Sequence, residues 1–178
     1  MRLRSVAVLI AVAGAGAAGC LLGKPPEVVV SGATVPRAAQ VALDERYKTW
    51  TPAEIDQQAT ACQPAGGAAP LAVTADFDSD AKPDLGMAVK TADGIRLVAL
   101  MRRGEEYEVF ELEPLGNGQA SAYLGLEKRG TRFASPLTST DDFYAADTLS
   151  TYRCGSTAVH YVWTGLGFRR VPPAGKTP

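Results

Sequence analysis

Hydrophobic positions change their period twice along the chain, and the changes divide it. Val6 to Ala18 is an unbroken apolar run behind two arginines, Arg2 and Arg4, and it closes on Ala17-Ala18-Gly19-Cys20. Next, Ala39, Ala42, Leu43, Tyr47 and Trp50 recur at helical spacing, opposite Asp44, Glu45 and Lys48. This stripe predicts an amphipathic helix. Thr51-Pro52 followed by Glu54 reads as a capped start with proline at the first helical position, and Ile55, Ala59 and Cys62 supply the stripe of a second helix. Gly, Ala and Pro then dominate up to Pro70, which ends the helical part.

From Leu71 onward the period is two. Leu71, Val73, Ala75 and Phe77 alternate with polar or small residues, as do Leu85, Met87 and Val89 after a short loop. Asp93-Gly94 is a hairpin turn signal, and Ile95 to Met101 is apolar enough to be a central strand. Tyr107 to Leu112, Ala120 to Leu126, Asp147 to Cys154, Thr157 to Trp163 and Phe168 to Val171 follow, separated by glycine turns. The pattern predicts an α+β fold, in which two N-terminal helices pack on an antiparallel β-meander of about seven or eight strands.

The apolar run near the amino terminus spans about 13 residues, short of the roughly 20 that cross a bilayer as a helix. With basic residues before it and small residues after it, the segment reads as a secretory signal. Because a cysteine stands at the cleavage point, it resembles the lipobox of bacterial lipoproteins. That resemblance implies a signal peptide over residues 1–19 and a diacylglyceryl thioether on Cys20. It further implies a membrane-anchored chain in the cell envelope, with the outer membrane favoured by Leu21 if the organism has two membranes. Residues 20–37, with Lys24-Pro25-Pro26, read as a tether. Residues 38–174 read as one globular domain.

Export changes what the cysteines mean. Cys62 and Cys154 form the remaining pair, and outside the cytosol such a pair is expected to be oxidised. Closing so long a loop contributes about 4 kcal/mol in the chain-entropy model. Cleavage leaves 16 basic against 19 acidic residues. A balance this close to neutral, with no basic run, argues against nucleic acid as a partner.

One stretch carries chemistry. Asp76-Phe77-Asp78-Ser79-Asp80-Ala81-Lys82-Pro83-Asp84 sets carboxylates at loop positions 1, 3, 5 and 9. Hard oxygen donors so arranged suit Ca²⁺. At an effective dielectric near 20, each carboxylate pair about 6 Å apart costs roughly 2.8 kcal/mol, so a cation would relieve the crowding. An EF-hand is excluded because its twelfth position, which needs a bidentate glutamate, is Met87. The stretch resembles instead the FG-GAP or VCBS-type calcium loop of integrin-like propeller blades and bacterial envelope proteins. The resemblance covers residues 74–92 and implies Asp76, Asp78, Asp80 and Asp84 as side-chain ligands, with the backbone carbonyl of Lys82. Ala81 and Ser79 stand where that pattern usually has glycine, and a single motif cannot supply the several blades of a propeller.

Catalytic motifs are sparse. The chain has one histidine, His160, on a strand-like run, and it contains no G-x-S-x-G elbow, H-E-x-x-H or P-loop. Acidic residues such as Asp141-Asp142 or the aspartate loop leave open a small envelope hydrolase. The favoured expectation is a non-catalytic binding or structural module. Its partner would be an envelope protein or a glycan, with Tyr123, Phe143, Tyr144 and Trp163 as anchors to weigh against an ordinary core role.

Overall fold

A computed structural model describes residues 27–63, 70–134 and 141–171. Among these the fold is mostly β, which corrects the expected α+β arrangement of two helices on a meander. Thirteen strands form two hairpin sheets, a four-stranded sheet and a five-stranded sheet, while the helices are one of ten residues and one of five.

The chain begins with a hairpin of β1 (Val28–Val30) and β2 (Ala33–Val35). Val30 and Val35 are buried in the core, so the globular part starts inside the stretch read as tether. Helix α1 (Arg37–Arg46) follows and buries Ala39 and Leu43. It ends at Tyr47, whose backbone is extended. Trp50 therefore leaves the predicted stripe and opens β3 (Trp50–Pro52), which pairs with residues 89–91. Thr51 consequently lies in a strand and caps nothing. Glu54 and Asp56 bond through their backbones to Ala120, and the capping role falls to Asp56, whose carboxylate accepts the Gln58 N–H at 2.6 Å. The second helix, α2 (Gln57–Ala61), is thereby cut to little more than one turn. Edge pairing overrides helical spacing here because a strand satisfies backbone groups that a longer helix would leave orphaned at the edge of β5.

The large sheet is built on β4 (Ala72–Ala75), β5 (Asp84–Thr91), β6 (Gly94–Arg103) and β7 (Glu106–Gly116), all antiparallel, with β3 and β4 sharing one edge of β5. The β5–β6 turn consists of Ala92-Asp93, with Gly94 just after it at φ +108°. The smaller sheet takes β8 (Tyr123–Glu127), then β11 (Thr148–Tyr152), β12 (Val159–Trp163) and β13 (Phe168–Val171), in the order β13-β12-β11-β8. Between β8 and β11 the chain makes a separate hairpin of β9 (Arg132–Ala134) and β10 (Asp141–Phe143).

The two sheets stack face to face. Gly86 on β5 lies under Leu149 of β11 so closely that an added Cβ would come within 2.8 Å of the leucine methyl. Such an approach requires glycine. Helix α1 packs on β7, and β5 and β6 are buried almost throughout. Cys62, at the end of α2, is joined to Cys154 beyond β11, with Cα atoms 5.4 Å apart. The expected pairing is thus present. Cys20, the signal segment 1–19 and residues 172–174 of the expected domain lie outside the described residues. No helix among the described residues is long and apolar enough to cross a membrane.

Candidate metal centre

The aspartate loop is the connection between β4 and β5, closed by the pairing of Ala75 with Asp84. Three of the four predicted carboxylates converge. Oxygens of Asp76, Asp78 and Asp84 all lie within 4.8 Å of one another. Ca²⁺ holds its oxygens at 2.3–2.6 Å, so ligands on opposite sides of one ion stand about 4.6–5.2 Å apart. The cluster fits that span.

The loop folds through its own amides. Asp76 accepts from the backbone N–H of Asp80 and of Ala81, at 3.0 Å each. Ser79 at φ +62° and Ala81 at φ +65° both take the left-handed backbone that favours glycine. The side-chain bonds of Asp76 must compensate a cost of about 1 kcal/mol for each. Asp80 does not join the other three: it accepts the Lys82 N–H at 2.8 Å and pairs with the Lys82 ammonium at 3.3 Å. The Lys82 amide bond holds the Asp80 carboxyl below its ordinary range.

Asp84 differs from the rest because it is 1% exposed. Its two oxygens accept the backbone N–H groups of Phe77 at 2.9 Å and Arg102 at 2.8 Å. Burial nevertheless pushes its pKa up to about 6, and the charges of Asp78 and Asp80 add to the push. Loss of hydration outweighs the two amide bonds.

Arg103, which the sequence did not single out, is the counter-ion of the loop: its guanidinium donates to Asp78 at 2.5 Å and to Glu108 at 3.4 Å, and lies 5.3 Å over the Trp163 ring. The only advance signal was its place at the end of β6, one hairpin away from the acids. Four carboxylates therefore face two cationic side chains, Lys82 and Arg103, which leaves the loop with an excess of negative charge. The donor set is all oxygen and fits a hard divalent ion.

Other singled-out residues are scattered. His160 sits on β12 opposite Ser150 of β11, with Nδ1 2.8 Å from the serine hydroxyl oxygen, and its ring packs on Tyr144. Burial lowers its pKa. Asp142 lies on β10 and accepts the Phe143 N–H. Of the aromatic anchors, Tyr144 is buried, Tyr123 stacks on Tyr152, Phe143 is exposed beneath Arg132, and Trp163 is half-buried against Phe110 and Phe168. Compared with models of known families, with curated proteins and with solved structures, the chain matches none.

Proposed function

We propose that this chain is a lipid-anchored, non-catalytic module of the cell envelope that takes up Ca²⁺ on its aspartate loop and acts by binding a partner. The observation that carries the cation reading is the convergence of Asp76, Asp78 and Asp84 in a loop with surplus negative charge. The anchor reading rests on the segment ending at Cys20, and the joined Cys62 and Cys154 are in keeping with an oxidising compartment. In a double-membraned cell the outer membrane is the favoured site. A hydrolase built on His160 is disfavoured because Ser150, the hydroxyl beside it, has 0% exposure. A nucleophile must reach its substrate.

Thermal unfolding with Ca²⁺ and with chelator tests the cation. A ligand at 100 times its Kd stabilises by about 2.7 kcal/mol, so the melting temperature should rise in Ca²⁺. Asp76→Asn should abolish the rise. An unchanged melting temperature at millimolar Ca²⁺ would remove the cation from the reading. Mass spectrometry of the mature protein tests the anchor, and an unmodified Cys20 would eliminate it.

A further inference from the structure

Beside the acidic loop lies a groove of about 440 Å³, lined chiefly by Asp78, Arg103, Glu108, Phe110, Trp163 and Leu166. We infer that this groove binds a neutral saccharide. The inference deepens the reading of the chain as a binding module and rests on that part of it, not on the cation.

The argument begins with what the groove leaves available. The Asp78 side chain is 8% exposed, and its carboxylate is taken by Arg103 and by the Asp80 N–H. The accessible charges are Arg103, 39% exposed, and Glu108, 54% exposed. They stand side by side and cancel. An anionic ligand would meet Glu108, and a cationic one would meet Arg103. A wholly apolar ligand would strip water from both charges and return no hydrogen bond. Hydroxyl groups both donate and accept, so adjacent hydroxyls of a sugar can donate to the Glu108 carboxylate and accept from the Arg103 guanidinium.

The remaining wall is apolar. Phe110 and Trp163 are half-buried, and Leu166 stands 94% exposed between Gly165 and Gly167 on the β12–β13 turn. Within a groove whose accessible lining is mostly polar, these three offer a small surface for the C–H face of a sugar ring, a balance that suits a ligand covered in hydroxyls. The polar pair is already held in place, since Arg103 is bonded to two carboxylates and packed on an indole. Little ordering cost remains at binding.

The two tryptophans make the test selective. Trp163 lines the groove, whereas Trp50, on β3, is not part of its lining, donates to Asp44 of α1 and serves as an internal reference. The full mature protein is titrated with neutral tetrasaccharides (chitotetraose and cellotetraose), the cationic glucosamine tetramer and the anionic galacturonate tetramer, in Ca²⁺ and again in chelator. The indole N–H signals are followed by NMR. A neutral tetrasaccharide should move the Trp163 signal and leave Trp50 in place. Glu108→Lys and Leu166→Asp, both at exposed positions, should weaken that response about tenfold or more, which corresponds to roughly 1.4 kcal/mol. No shift of Trp163 with either neutral tetramer, or a stronger response to a charged tetramer, would overturn the assignment. The Ca²⁺ dependence of the melting temperature is read separately, so failure of the groove and failure of the cation site are distinguishable.

Discussion

Two acidic sites among the described residues have opposite charge balance. In the aspartate loop four acids share two cations, the backbone is left-handed at two residues that carry a Cβ, and the most buried acid is pushed toward its neutral form. Around Glu113 a single acid, 11% exposed, is met by Arg153 at 3.2 Å, Arg170 at 3.9 Å and the Thr151 hydroxyl at 3.1 Å. Glu113 is on β7, and its partners are on or beside β11 and on β13. It therefore ties the two sheets together.

A β-bulge makes that tie available. Leu97 and Val98, adjacent on β6, pair with Glu113 and Glu111, so one extra residue on β7 sends the two glutamates to opposite faces. Glu111 meets Tyr47 and Arg96 on the helix side, and Glu113 meets the arginines of the smaller sheet. An acid outnumbered by cations is a structural cross-link. Acids that outnumber their cations hold unspent charge, and only such a site has electrostatic reason to recruit an ion.

This contrast can be broken from either side. The largest effect is expected at the cross-link: Glu113→Gln leaves Arg153 without its charged acceptor and should cost about 2 kcal/mol in chemical denaturation, independent of Ca²⁺. A loss below about 0.5 kcal/mol would show that the sheets are held by packing alone.

The next effect concerns pH. Asp84 has a folded pKa of about 6, above its ordinary 3.8, so its stabilising contribution is complete below about pH 3.8 and is lost as pH rises through 6. In chelator this should remove on the order of 2 kcal/mol between pH 4 and 7, and Asp80, whose pKa is lowered, acts in the opposite sense. The difference between the wild type and Asp84→Asn isolates the term. A wild-type-minus-variant difference that rises with pH would refute the excess-charge reading of the loop.

The smallest effect is at Ala81. Glycine there relieves the left-handed strain and should stabilise the protein by about 1 kcal/mol without Ca²⁺. A destabilised Ala81→Gly variant would mean that the loop is not strained at that position.

The strands of the large sheet were legible because burial on both faces leaves a near-continuous apolar run, as in Ile95 to Met101, and because alternation marked Leu85, Met87 and Val89. The aspartate loop was legible for a similar reason: its ligands are local, and their spacing along the chain is the site. Helical spacing fails as a guide where local and long-range demands diverge. Ala39, Ala42 and Leu43 did form a helical face, but Trp50 and Thr51 satisfied an amphipathic period and were still drawn into the edge of β5.

By itself the sequence determined the periodicities, the acidic spacing and the cysteine inventory, because each depends on neighbours in the chain. The bulge that aims Glu113, the reach of Arg103 to Asp78 and the groove under Leu166 were decided by tertiary structure alone. Each joins residues from different strands and loops, and their chemistry exists only once sheet pairing has set the distances between them.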